Sequence, residues 1–385
     1  MPGPGSYTRE DVLEIQCHGG PAAARGVLDA VLACGVRLAD PGEFTLRAYL
    51  NGRLDLLQAE AVLDVVQART AAALRVHEEL LGGRLSREVQ GWQEALTGVL
   101  ALVEAYLDFP DEEVGEVDRE RVRLALADLA ATLDAKLSTF SWGRVARDGF
   151  AVALVGAPNT GKSSLLNRLL EEDRAIVSPV PGTTRDTIEA WLNALGVSVR
   201  ILDTAGLRGS ADPLEAEGVR RARLAAEGAD LVVFVTDGSR DLGQDEAEEA
   251  RRLGVRGPVL AVVNKADLGS RPQGALRRVF GAEPVVVSAL TGEGIGALLE
   301  AIRQAAWGGT GAGDAAPLTH RRHRDAVERA AAALRRGLAA WEQGRYPEVA
   351  ASELHEAHRC FGELLGWGTP DDVLAEIFSR FCIGK

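Results

Sequence analysis

The sequence predicts an α/β domain built on a parallel sheet and inserted into a helical domain. Three observations predict it. Through the middle of the chain short apolar runs alternate with helical segments, amphipathic helical patterns occupy both flanks, and a glycine-rich stretch marks where the second flank begins. Length agrees: at roughly 100 to 200 residues per domain, a 385-residue chain favours two or three domains over one.

Each element follows from its pattern. Val122, Leu126, Leu129, Leu133 and Leu137 recur at helical spacing with Arg, Asp and Lys between them, so residues 121–137 read as an amphipathic helix. Similar patterns run over about 54–107 and 318–380. In the centre, Ala151-Val152-Ala153-Leu154-Val155, Leu231-Val232-Val233-Phe234-Val235, Leu260-Ala261-Val262-Val263 and Val285-Val286-Val287 are apolar throughout. Continuous apolar strands belong to a parallel sheet covered on both faces. Gly308-Gly309-Thr310-Gly311-Ala312-Gly313-Asp314, closed by Pro317, is too rich in glycine to hold a helix and reads as a linker. The expected division is residues 1–53, a helical part 54–148, the α/β domain 149–306, a linker 307–317 and a second helical part 318–385.

Composition excludes several classes of function. The 43 Lys and Arg against 56 Asp and Glu give a net charge of −13, which argues against an extensive nonspecific grip on nucleic acid phosphates. Glu10, Asp11 and Glu14 stand where a signal peptide needs an apolar run, and no stretch is long and apolar enough to span a membrane. Cys17, Cys34, Cys360 and Cys382 are scattered without a CxxC pair, leaving a reducing cytoplasm as the expected compartment.

After the run ending at Val155 comes Gly156-Ala157-Pro158-Asn159-Thr160-Gly161-Lys162-Ser163, followed by the helical Ser164-Leu165-Leu166-Asn167. This is G-x-x-x-x-G-K-[ST] in its strand, loop, helix context. Glycines let backbone N–H groups turn inward around a phosphate, and the helix N-terminus adds its positive dipole end. Lys162 would bridge the β- and γ-phosphates and the Ser163 hydroxyl would hold Mg²⁺.

Three further elements follow in order. Asp203-Thr204-Ala205-Gly206 ends the strand Val199-Arg200-Ile201-Leu202, so Asp203 would reach the Mg²⁺ shell through water and Gly206 the γ-phosphate. Asn264-Lys265-Ala266-Asp267 ends another strand, where the Asp267 carboxylate can accept from both N1–H and the amino group of guanine. Adenine has no such pair of donors. Ser288-Ala289-Leu290 follows the next strand and would offer a backbone N–H to the guanine O6. Any one of these is an ordinary strand-end turn by itself; four in register specify a guanine-nucleotide site.

These residues resemble the translation-factor-like branch of P-loop GTPases. Leu207 stands where Ras-like enzymes carry a water-positioning glutamine, and a leucine has no hydrogen-bonding atom. The loop Asn159, the switch-like Val180-Pro181-Gly182-Thr183-Thr184-Arg185-Asp186 and the hydrophobic Leu207 together resemble potassium-stimulated GTPases. That resemblance implies that Thr184 caps Mg²⁺ and that Asn159, Ser178, Val180 and Thr183, with Pro179 and Pro181-Gly182 between them, hold K⁺ against the phosphates. There K⁺ would neutralise charge growing on the transferring phosphoryl group. The alternative for Asn159 is a hydrogen bond within the loop backbone.

The ends narrow the family. Ser6-Tyr7-Thr8-Arg9-Glu10-Asp11-Val12-Leu13-Glu14, His18-Gly19-Gly20-Pro21, Asp40-Pro41-Gly42-Glu43-Phe44, Asn51-Gly52-Arg53-Leu54-Asp55 and the terminal Phe381-Cys382-Ile383-Gly384-Lys385 resemble the MnmE (TrmE) family of tRNA modification GTPases. The resemblance implies a P-loop GTPase domain inserted into an α-helical domain, preceded by a partial α+β domain that binds a one-carbon tetrahydrofolate through Glu14, Arg53 and Lys385. It implies a homodimer that works with the FAD protein MnmG to place an aminomethyl or carboxymethylaminomethyl group on C5 of the wobble uridine of certain tRNAs. Besides Lys162 and Thr184, Glu215 is implied to orient the hydrolytic water and Cys382 to act in modification. Their plain alternatives are a first-turn acid at a helix N-terminus and a packed apolar tail. Length bounds content, and family members begin roughly 65 residues earlier, so the folate-binding part is expected to be incomplete. Two other readings stand beside this one: a regulatory GTPase switch on RNA or ribosome, and a GTPase deficient in modification. The charge run Arg321-Arg322-His323-Arg324 reads as helix surface or as a contact to tRNA phosphate.

Overall fold

The computed structural model describes residues 1–108, 116–172, 190–202, 224–307, 316–344, 347–382 and 384. The chain divides into two compact units, one of Met1–Gln67, Arg75–Phe140 and Ala316–Lys385, the other of Ala68–Leu74 and Ser141–Ala315. In the first, helices α1 (Pro21–Leu32), α2 (Glu43–Leu50), α3 (Leu56–Gln67), α4 (Ala71–Leu81), α5 (Arg84–Asp108) and α6 (Glu116–Ser138) run in chain order, with the first residues of α4 belonging to the second unit. The spacing of Val89, Trp92, Leu96 and Val103 turns one face of α5 inward, and Val122, Leu126 and Leu133 do the same for α6.

The second unit opens with α7 (Phe140–Asp148) and β1 (Phe150–Val155), then α8 (Lys162–Glu172), β2 (Ala190–Ala194), β3 (Val197–Leu202) and β4 (Leu231–Asp237). It continues with α9 (Gln244–Arg256), β5 (Val259–Asn264), α10 (Gln273–Phe280), β6 (Val285–Val286) and α11 (Ile295–Trp307). Among the described residues the sheet has six strands in the order β2-β3-β1-β4-β5-β6. All neighbours are parallel except β2 on β3, an edge pair joined by the turn at Leu195-Gly196. Every residue of β1 and of β4 is buried, as strands covered on both faces require. Leu165, Leu166 and Leu169 of α8 and Leu298 and Ile302 of α11 cover one face; Ala250, Leu253 and Leu276 cover the other.

The division between units falls at Phe140, eight residues before the expected boundary at 148. The side chains of α7 give the reason: Val145 packs with Phe150 in the sheet's core, the Trp142 ring lies 6.0 Å from that of Trp307, and Arg144 pairs with Asp230 at 2.7 Å. Residues 68–74 also join this unit, and the Arg69 guanidinium lies 4.0 Å over the Trp191 ring of β2.

Helices α12 (Arg321–Gln343), α13 (Pro347–Leu365) and α14 (Asp371–Ser379) return to the first unit. Val327, Leu334 and Trp341 of α12 and Leu354 and Phe361 of α13 complete one core with α5 and α6. The run 321–324 is not all helix surface. His323 is buried and its Nε2 lies 2.7 Å from Glu60 Oε2, while Arg322 reaches the same carboxylate at 2.7 Å and the Glu363 carbonyl at 2.8 Å. The helical period explains this, because the stripe through His323, Ala326, Val327 and Ala330 faces the core. No helix among the described residues is long and apolar enough to cross a membrane.

Candidate guanine-nucleotide site

The carboxyl ends of β1, β4, β5 and β6 lie side by side, and β1 sits between β3 and β4, where the strand order reverses. Open α/β sheets bind ligands at such a switch point. The loop from Gly156 to Gly161 leaves β1 there and enters α8. Gly156 has φ +152°, and a Cβ on it would lie 2.1 Å from the Val235 carbonyl oxygen. Gly161 has φ +86°, and its Cβ would meet Asn264 Nδ2 at 2.3 Å. Both positions require glycine, and the absence of side chains lets the loop backbone face outward.

Asn159 adopts φ +61° and is exposed, a conformation asparagine tolerates better than most residues. Thr160 is buried and donates from Oγ1 to the Ala157 carbonyl at 3.0 Å. Lys162 lies back across the loop, donating from Nζ to the carbonyls of Gly156 (2.8 Å) and Ala157 (2.7 Å). Burial pushes its ammonium below the ordinary lysine value. Ser163 and Ser164 are exposed on the first turn of α8, where unsatisfied N–H groups and the dipole favour an anion.

Asn264, at the end of β5, is the joint of the site. Its Nδ2 donates to the Thr160 carbonyl at 2.9 Å and its Oδ1 accepts from the Ala289 N–H at 3.0 Å, which ties the phosphate loop to the loop after β6. Lys265 has φ +62° and pairs with Asp237 Oδ2 at 2.6 Å. Burial opposes ionisation of Asp237, but hydrogen bonds from Lys265 and Ser239 outweigh it and hold the carboxyl at about 2. Ala266 begins the short turn that carries Asp267. The exposed Asp267 accepts from the buried Ser288 hydroxyl at 2.6 Å, and that hydroxyl accepts from the Thr291 N–H at 3.2 Å. Leu290 projects outward and is 76% exposed.

The structure therefore brings Asn159 to Ser164, Asn264 to Asp267 and Ser288 to Leu290 to one end of the sheet. Ser178, Pro179, Val180, Pro181, Gly182, Thr183, Thr184, Asp203, Thr204, Ala205, Gly206, Leu207, Glu215 and Lys385 lie outside the described residues. Elsewhere, in the first unit, Arg53 donates to the Ser6 carbonyl at 2.5 Å and lies 5.5 Å over the Tyr7 ring, while Glu14 is exposed. Cys382 is exposed; the packed residue of the tail is its neighbour Phe381, set among Leu56, Leu374 and Phe378. Two participants were not apparent from spacing. Asp237 follows no motif, and Arg168 of α8 donates to the Ala289 and Leu290 carbonyls at 3.0 and 2.7 Å across a sequence separation that no local pattern reveals.

Residues 56–382 match the family model of the MnmE helical domain and residues 1–53 that of the GTP-binding protein TrmE N-terminus. The chain is 46% identical to the tRNA modification GTPase MnmE of Syntrophotalea carbinolica, over 99% of this chain and 84% of that protein. Against the protein of the same name from Geobacter metallireducens it is also 46% identical, over 100% and 84%. The Moorella thermoacetica protein of that name is 48% identical over the same shares.

Proposed function

The chain belongs to the MnmE family of tRNA modification GTPases, and on that premise we propose that it hydrolyses GTP in the service of wobble-uridine modification. The observation that carries the site assignment is the Asn264 side chain, which locks the Gly156–Ser163 loop to the loop bearing Ser288 and Ala289. In this reading one side chain links the phosphate cradle to the base-reading edge.

In this reading Thr160 to Ser164 hold the phosphates, Lys162 crosses from the loop carbonyls to the β- and γ-phosphates, and Asp267 accepts from guanine. The donor set fits Mg²⁺, a hard cation that takes hydroxyl and carboxylate oxygens: Ser163, Thr184 and Asp203 would hold it. The neutral oxygens of Asn159, Ser178, Val180 and Thr183 suit the larger, weakly hydrated K⁺. Bound there, K⁺ supplies positive charge against the transferring phosphoryl group. Glu215 orients the attacking water, replacing the glutamine that Leu207 cannot be. The α/β unit acts as a GTPase domain inserted in the helical domain, and the protein works as a homodimer with MnmG in the cytoplasm. Glu14, Arg53 and Lys385 would hold a one-carbon tetrahydrofolate, which would supply the one-carbon unit, and Cys382 would act in the modification.

Two measurements test this. Mass spectrometry of tRNA from a strain lacking its own MnmE and expressing this chain should show the C5-modified wobble uridine restored; hydrolysis of GTP without restoration leaves a GTPase that does not modify. Hydrolysis should run faster in K⁺ than in Na⁺ at equal ionic strength and lose that difference in Asn159→Ala. Equal rates in both salts would remove K⁺ from the mechanism.

A further inference from the structure

Arg168 lies on α8, the helix whose first turn follows the phosphate loop. Its Nε donates to the Ala289 carbonyl at 3.0 Å and its Nη2 to the Leu290 carbonyl at 2.7 Å, while Nη1 stands 3.8 Å from the exposed Glu171 carboxylate. A guanidinium is a rigid planar fork, so two donors on two successive carbonyls fix both the distance and the orientation of that short stretch of backbone.

The consequence follows from the planarity of the peptide unit. The Ala289 carbonyl and the Leu290 N–H belong to one trans peptide and point in opposite directions. Pinning the carbonyl against α8 therefore aims the Leu290 N–H away from it. The neighbouring donors are already engaged: Ser288 N–H on the Glu293 carbonyl at 2.9 Å, Ala289 N–H on Asn264 Oδ1 at 3.0 Å and Thr291 N–H on Ser288 Oγ at 3.2 Å. Among the four successive donors of residues 288–291, the Leu290 N–H is the one left to offer a base.

We propose that Arg168 is a positioning residue for base recognition, holding the Ala289 and Leu290 carbonyls so that the Leu290 N–H meets the guanine O6. This rests on the guanine-site reading given above. Asp267 reads the exocyclic amino group through its own carboxylate, held by Ser288, so the two halves of base recognition are separated by the choice of nucleotide. Inosine triphosphate lacks the amino group and keeps O6. In 6-thioguanosine triphosphate the amino group stays and O6 becomes a larger, weaker acceptor.

The test is steady-state kinetics of the full chain with GTP, inosine triphosphate and 6-thioguanosine triphosphate, for wild type, Arg168→Ala and Arg168→Lys, with Tm recorded for each. In Arg168→Ala the KM for GTP rises by up to about tenfold, the loss expected for one neutral hydrogen bond, while kcat stays within about twofold. The preference for GTP over the 6-thio nucleotide shrinks and that over inosine triphosphate is unchanged. Arg168→Lys, with a single donor group and no fork, falls between. Wild-type KM and wild-type 6-thio preference in Arg168→Ala overturn the proposal; if that variant does not fold, the same result in Arg168→Lys does so. A wild-type protein indifferent to both analogues overturns the guanine-site reading itself, and this inference with it.

Discussion

In the proposed reading Asp267 recognises guanine by accepting two hydrogen bonds, and the Ser288 hydroxyl at 2.6 Å fixes which way its carboxylate faces. Asp267→Asn replaces one acceptor by an amide N–H₂, which repels the guanine amino group and complements the 2-oxo group of xanthine. The KM for GTP should rise about a hundredfold, the scale of one or two charge-assisted hydrogen bonds, and xanthosine triphosphate should become a substrate. An unchanged KM for GTP would mean that Asp267 does not touch the base. Residues of this kind were legible because their chemistry lies in their own side chain and their place in a spacing. Lys162 was legible for the same reason, and Gly156 and Gly161 by their place in the spacing alone. The double role of Asn264 was not, because its partners Thr160 and Ala289 are far away in sequence and only the fold brings them together.

At the scale of elements, the apolar runs at 151–155 and 231–235 identified β1 and β4 because a strand buried on both faces leaves an unbroken hydrophobic signature. Strand β2, Ala-Trp-Leu-Asn-Ala, alternates and sits at the edge, so it lacked that signature. Helix α7 packs with the sheet although it lies in the stretch expected to be helical domain, because periodicity reports that a face is buried without reporting against what. The same holds for α12, whose arginine-rich start conceals a buried polar contact. Glu60 is buried on α3 beside Arg322 and His323 of α12 and His320 at the N-cap of that helix. Burial opposes its ionisation, but the charge of Arg322 and the hydrogen bond from His323 outweigh it and hold the carboxyl well below its ordinary value. Removing one member of such a pair strands the other, so Glu60→Leu should destabilise the protein by about 3 kcal/mol. Arg322→Met added to it should restore much of the loss, read as the midpoint of urea unfolding. A double variant no more stable than the single one would show that Arg322 is satisfied by the Glu363 carbonyl alone.

The pairing also sets a pH dependence. Burial pushes the His323 imidazole below its ordinary value of 6.5, so the folded protein holds it neutral with Nε2–H donated to Glu60. The unfolded chain binds a proton there below pH 6.5 and the folded chain does not until the depressed value is reached, so stability falls as pH drops through that window. Glu60 has the depressed-carboxyl sign and contributes stability above 4.5 that is lost further down. His323→Gln keeps an N–H donor and does not titrate. Its stability should change less between pH 7 and 5 than that of wild type, and parallel profiles would show that His323 is not the titrating group.

For the whole molecule, each hydrophobic cluster draws its residues from a single unit: Leu57 to Leu365 and Leu56 to Phe381 from one, Val145 to Ala306 and Ala153 to Leu276 from the other. Separate cores unfold separately unless something couples them. A ligand that binds only one folded unit stabilises that unit alone, by about 2.7 kcal/mol at a hundred times its Kd. For a unit of this size that is a rise of about 5 to 10 °C in its transition. Differential scanning calorimetry should therefore show two transitions. Mg²⁺ with a nonhydrolysable GTP analogue should raise one of them, and Glu60→Leu should lower the other. The cross-over design distinguishes the possibilities, because each perturbation touches residues of one unit. A single transition that responds to both would mean that the units unfold as one cooperative body, and nucleotide binding would then be felt directly in the stability of the helical core.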